Sequence, residues 1–137
     1  GAPDSPTPDD IVEAAVKAAR APKNHRFWPA GGLPELKDAI ATKPKRDSGY
    51  EVKGSQVLVT NGGKHAVFTA MAVLCNEGDE VICPSFTFSS TATAIAIRGA
   101  VPVFVDVDPL TLNIDPARAA AAITERTTAI FIVHYGG

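Results

Sequence analysis

The stretch QVLVTNGGKHAVFTAMAVL, from Gln56 to Leu74, constrains the fold of this chain more than any other. Gln56–Thr60 is short, apolar and rich in β-branched residues, the pattern of a strand buried on both faces. Asn61-Gly62-Gly63 is a turn signal. From Lys64 onward, Ala66, Val67, Ala70, Met71 and Leu74 fall at helical spacing. A glycine turn between a strand end and a helix start is suited to hold an anion. The first amides of the helix are free, the helix dipole favours negative charge, and glycine lets a phosphate approach the backbone. Lys64 adds a positive charge beside it. Many such turns bind nothing, and a lysine at a helix start is often only solvated. The turn matches neither the Walker pattern, which needs Gly-Lys-Ser/Thr after four spacers, nor G-x-G-x-x-G.

Downstream of this stretch the pattern alternates. Strands are expected at Glu80–Cys83, Val101–Asp106 and Thr128–Val133, and helices at Lys64–Leu74, Ser89–Ile97 and Pro116–Ile123. Asp115-Pro116 reads as a cap followed by proline at the first helical position. Strand–helix alternation with short turns implies right-handed crossovers and an α/β fold, a parallel or mixed sheet with helices on both faces. Ligands in such sheets sit at the carboxyl ends of the strands. Three features fall there: Gly62-Gly63-Lys64, Pro84-Ser85-Phe86-Thr87-Phe88, and His134-Tyr135-Gly136-Gly137. An anion cradle and an aromatic shelf together would suit a planar ligand with a phosphate tail. Phe86 and Phe88 as ordinary core residues are the plainer alternative.

The residues before Gln56 are organised differently. Thr7 as cap and Pro8 as first residue start a helix that runs to about Arg20, its apolar stripe formed by Ile11, Val12, Ala15, Val16 and Ala19. APKNHRFWPAGG, from Ala21 to Gly32, is an irregular loop of the kind that often carries function. A second helix is expected from Leu33-Pro34 to about Lys43, where Pro44 ends or kinks it. Residues 1–54 thus read as a helical segment with connecting loops, and 55–137 as the α/β part.

Composition narrows the function. The chain has 137 residues, 45% hydrophobic and 20% charged, which is globular rather than disordered. A net charge of −2 argues against a general nucleic-acid or membrane-surface binder, and no apolar run approaches a membrane span. GAPDSPTPDD contains no basic region followed by an apolar core, so no secretory signal is expected. Cys75 and Cys83 lack metal-ligand company and read as buried thiols of a reducing, cytoplasmic compartment. No metal site is expected.

These residues resemble the N-terminal part of a fold type I pyridoxal-phosphate-dependent aminotransferase. PDSPTPDDIVEAAV, FWPAGGLPELKDAIA and VLVTNGGKHAVFTAMAVLCNEGDEVI, within residues 1–82, are similar to the class I, aspartate-aminotransferase-like enzymes. Residues 78–137, from GDEVICPSFTFSSTATAIAIRG to HYGG, look like the DegT/DnrJ/EryC/StrS sugar aminotransferases. The resemblance implies pyridoxal 5'-phosphate as cofactor, its phosphate on Gly62, Gly63 and Lys64 and its ring stacked on Phe88. It makes Phe27 and His134 further candidates. Phe27 stands where class I enzymes carry a tyrosine that reaches the neighbouring subunit's phosphate, and phenylalanine has no hydroxyl for that contact. His134 lies in a turn near the cofactor in the sugar enzymes. The resemblance also implies a homodimer, with the FWPAGG loop a candidate for reaching across, and the transfer of an amino group from a small-molecule amino donor to a keto acid or keto sugar. The lysine that forms a Schiff base with the cofactor, and the acid that keeps its pyridine nitrogen protonated, are expected beyond Gly137. On that expectation the 137 residues are a fragment, catalytically inactive alone, with a partial large domain and no small domain. The alternative from the residues is a non-catalytic domain of this fold that binds a phosphate ligand or a partner. A nucleotide-binding βαβ domain is a weaker rival, since its glycine and lysine motifs are absent.

Overall fold

The computed structural model describes residues 4–135. The chain divides into two compact units, Gly1–Val59 and Thr60–Gly137.

In the first unit, α1 spans Asp9–Arg20, with Asp9 and Asp10 in its first turn and Lys17 and Arg20 in its last. Each set of charges complements the nearer end of the helix dipole. Thr7 does not cap it: Pro8 holds the cap position with an extended ψ of 141°, and no side chain bonds the free amides. The Pro8 carbonyl accepts from the Ile11 and Val12 amides at 3.0 and 3.1 Å. Ile11, Val12 and Val16, on the apolar stripe, are all exposed. A short 3₁₀ turn, Pro22–His25, leads into the loop.

The second helix, α2, spans Pro34–Ser48 and runs through Pro44 instead of stopping near Lys43. A proline removes only its own N–H and one bond of the ladder, and the residues after it propagate the helix. The stop is Gly49, left-handed at φ 69°, whose N–H donates to the Lys45 carbonyl at 3.1 Å. The expected strand at Gln56–Thr60 does not form. Gly54–Gln56 is a 3₁₀ turn, and Val57 beyond it is extended (φ −102°, ψ 129°). A strand needs a ladder partner. Among the described residues this segment has only one such bond, from Val59 N–H to the Gly31 carbonyl at 3.0 Å.

The second unit contains α3 (Gly63–Leu74), β1 (Glu80–Pro84), α4 (Ser90–Ala96), β2 (Val101–Val105), α5 (Pro116–Ala121) and β3 (Thr127–Ile130). The strands form one parallel sheet in the order β2-β1-β3, three strands where the sequence suggests four. Asp115 caps α5 as expected, accepting from the Ala117 and Arg118 amides at 2.8 and 3.3 Å. The order explains the layers. The chain steps from β1 to β2 through α4, then back past β1 to β3 through α5. Right-handed connections that reverse direction place their helices on opposite faces. Val81 and Cys83 accordingly pack with Met71 of α3, with Cys75 just after that helix, and with Ala94 and Ile95 of α4. Ile82, pointing the other way, packs with Val105 and with Ala119 of α5. Burial on both faces is why β1 reads as an apolar run after Glu80. Cys75 and Cys83 are free thiols buried in the first cluster, and burial pushes both thiols up.

One charged group is buried at the start of the central strand. Glu80 accepts from Thr124 Oγ1 at 2.6 Å and from the Arg126 guanidinium, which ties β1 to the turn before β3. The Thr124 hydroxyl first, and then Arg126, hold its carboxyl below the usual carboxylate range. A carboxyl lowered in the folded state stabilises the fold above its unfolded pKa of about 4.3, and that stability is lost as pH falls through the folded value. Acid unfolding of Glu80→Gln should therefore show a shallower loss of stability below about pH 4.3 than the parent chain. Equal slopes in denaturant titrations across that window would show that Glu80 has no such role.

Candidate functional site

The first turn of α3 is open. Gly62 sits at its cap with φ 84° and ψ 171°, backbone space that essentially only glycine occupies. The turn is held from within: Gly62 N–H donates to the Thr60 carbonyl at 2.9 Å, and Thr60 Oγ1 donates to the Gly62 carbonyl at 3.1 Å. No side chain caps the helix. The amides of Gly63, Lys64 and His65 have no hydrogen-bond partner among the described residues, and the first helical bond is Ala66 N–H to the Gly62 carbonyl. A Cβ at Gly62 or Gly63 would meet nothing within 4 Å. Three free amides thus face open space at the positive end of a helix.

Phe88 comes to this turn from the carboxyl end of β1. Lys64 Nζ lies over its ring, 4.5 Å from the centroid. The two residues share a cleft of about 270 Å³ with Phe68 of α3 and Ser90, Thr93 and Ala94 of α4. Phe88 is 64% exposed, so its ring is surface available for stacking rather than core. The plainer reading of it as a core residue fails. The fold thus brings Gly62, Gly63, Lys64 and Phe88 together.

The other strand end adds a second aromatic contact. Phe86 and Tyr135 meet edge to face, their centroids 5.0 Å apart. The Tyr135 N–H donates to Asn113 Oδ1 at 2.9 Å, fastening the end of the β3 segment to the loop after β2. His134, just before, is exposed. Gly136 and Gly137, the end of the expected turn, lie outside the described residues. Phe27 belongs to the first unit and is fully exposed there.

Sequence reasoning missed His65. Its Nδ1 accepts the Asn61 N–H at 3.2 Å, a side-chain bond from the helix back to the turn. The available signal was position alone, since a third helical residue can reach back to the cap.

The donor set has a definite chemistry. Amide N–H groups and an ammonium suit a phosphate, and an exposed aromatic face beside them suits a flat ring. The residues present therefore fit pyridoxal phosphate. Among the described residues, no group of three or more His, Cys, Asp or Glu is arranged to hold a metal ion, and no helix is long and apolar enough to cross a membrane.

Comparison with known proteins gives the same direction. The sequence profile of the DegT/DnrJ/EryC1/StrS aminotransferase family matches residues 50–137. An aspartate aminotransferase of Streptomyces avermitilis is 52% identical over 97% of the chain, which spans 33% of that protein. A probable aspartate aminotransferase of Streptomyces griseus is 48% identical over 97% of the chain, which spans 62% of that protein. The aspartate aminotransferase of Thermus thermophilus, solved with maleate, superposes with a TM-score of 0.86 at 36% identity, covering 95% of this chain and 34% of its own. Both curated relatives extend well beyond the length matched here.

Proposed function

The chain belongs to the DegT/DnrJ/EryC1/StrS aminotransferase family, and we propose that it supplies the cofactor-phosphate cradle and ring shelf of a pyridoxal-phosphate-dependent enzyme. The observation that carries this is the set of three unpartnered amides at Gly63, Lys64 and His65, joined to Phe88 by the Lys64 ammonium. When bound, pyridoxal phosphate supplies an electron sink for moving an amino group. The residues here bind and orient it. The free amides and Lys64 fix the phosphate. Phe88 presents a flat face that holds the ring in register. His134 and Phe27 are secondary candidates: the first stands beyond a strand end, and the second lies in an exposed loop.

The full reaction we propose is transfer of an amino group from an amino acid donor to a keto acceptor. Similarity over nearly the whole chain to enzymes named aspartate aminotransferases favours a keto acid over a keto sugar. On this reading the chain is the N-terminal part of the enzyme, and the reacting lysine and the acid at the pyridine nitrogen belong to the length of the relatives not matched here. We further propose a cytoplasmic homodimer. The exposed stripe of α1 and the exposed Phe27-Trp28 pair support an interface in that unit.

The test is a titration of the protein with pyridoxal phosphate, followed by the change in cofactor absorbance. Phe88→Ala removes the shelf but leaves the cradle, and should weaken binding by about fivefold, since aromatic pairs contribute roughly 1 kcal/mol beyond the area they bury. Binding of inorganic phosphate should stay unchanged in the same variant. Unweakened pyridoxal phosphate binding would remove Phe88 from the site.

A further inference from the structure

We propose that His65 is a positioning residue for the phosphate cradle: its Nδ1 accepts the Asn61 N–H and locks the glycine turn onto the helix that it opens. The inference rests on the proposal that this turn receives the cofactor phosphate.

The turn has two kinds of restraint. The Thr60–Gly62 bonds shape the three residues internally, at 2.9 and 3.1 Å. They do not tie the turn to α3. The bond from Asn61 N–H to His65 Nδ1, at 3.2 Å, does so from a side chain. His65 is the third residue of α3, after Gly63 and Lys64. In the usual capping box a glutamate or glutamine at that position reaches back and accepts the amide of the cap residue. His65 reaches one residue further, to Asn61.

The choice of residue has an electrostatic reason. A glutamate could make a similar bond but would set a full negative charge beside the bound phosphate. A neutral imidazole accepts the same N–H with no charge. It does so only with Nδ1 unprotonated, which places the ring proton on Nε2. The bond also engages the Asn61 amide with the protein, as the Thr60 carbonyl engages that of Gly62, and the free amides are those of Gly63, Lys64 and His65.

The experiment compares pyridoxal phosphate, inorganic phosphate and pyridoxal, which lacks the phosphate, as ligands of the protein and of His65→Ala, His65→Gln and His65→Glu. Thermal unfolding checks that each variant is folded. Loss of one neutral hydrogen bond predicts about fivefold weaker binding of both phosphate ligands to His65→Ala. Pyridoxal binding should be unchanged, which a general loosening of the fold would not produce. His65→Gln, still a neutral acceptor, should bind within about twofold of the parent. His65→Glu should bind no better than His65→Ala. Parental phosphate affinity in His65→Ala, or an equal loss for pyridoxal, overturns the proposal. Histidine nitrogen NMR reads the cap without any ligand: a proton on Nδ1 of His65 also overturns it. If the parent protein binds no pyridoxal phosphate, the cofactor proposal fails, and the tautomer of His65 still decides whether the cap exists.

Discussion

Gly63→Asp is expected to weaken pyridoxal phosphate binding by at least about thirtyfold while leaving the fold intact. The substitution sets a carboxylate among the three free amides, beside the site of a phosphate. Two unit charges about 4 Å apart repel by about 1 kcal/mol in water and about 4 kcal/mol near a protein surface. An intermediate value near 2 kcal/mol already gives a factor of about thirty. The helix itself should gain, because an acid in the first turn interacts favourably with the dipole, by about 0.5 kcal/mol. A Cβ at Gly63 meets nothing within 4 Å, so no steric cost is added. Gly63→Ala separates charge from bulk and should bind nearly as the parent does. The signature is a variant at least as stable as the parent that has lost the cofactor. Titration by absorbance with a parallel unfolding curve reads both quantities, and parental affinity in Gly63→Asp would show that the phosphate lies elsewhere.

Ile82→Ala should have the largest effect on stability. Ile82 is fully buried at the centre of the middle strand and packs with Val105 and Ala119. Its backbone carbonyl also accepts from Phe131 N–H at 2.7 Å, so little movement of the strand is available to close a cavity. Isoleucine-to-alanine changes at such sites cost about 2–5 kcal/mol. That is a large share of the roughly 5–15 kcal/mol that holds a typical domain folded. The unit is further taxed at its edges. Val101 and Phe104 on β2 and Ile130 on β3 are exposed, and neither edge strand has a second partner among the described residues. Exposed apolar edges favour self-association. The midpoint of denaturant unfolding should therefore fall sharply in Ile82→Ala, and a shift under about 0.5 kcal/mol would mean that the β1 core is not what holds the sheet together.

The second unit was the legible half of the chain. Val81-Ile82-Cys83, the Asp115-Pro116 cap and the alternation of periods locate β1, α5 and the layer order, because each is a local signal that agrees with the tertiary arrangement. Gln56–Thr60 has the composition of a strand, but composition does not supply a ladder of partners: Gln56 closes a 3₁₀ turn, Val57 is extended, and Val59 alone bonds outward, to the Gly31 carbonyl. At Pro44 a local breaker was outweighed by the helix formers around it, and Gly49 gave the true stop. In the candidate site, the glycine turn and Phe88 were readable as residue types at strand ends. The Lys64 contact with Phe88, the Phe86–Tyr135 pair and the His65 cap were not, since each depends on side-chain direction across a turn or between strands. Phe27 was readable only by resemblance, and its exposed ring has no local partner that would assign it a role.

The most direct measurement is an amide-resolved NMR titration of the protein with pyridoxal phosphate. The account predicts that the amides of Gly63, Lys64 and His65 shift first and furthest, and that the Phe88 ring protons move with them. Inorganic phosphate should reproduce the amide shifts and move the Phe88 ring protons less, through the Lys64 ammonium alone. Saturable binding that leaves these three amides in place, with the largest shifts elsewhere, would contradict the assignment of the cradle.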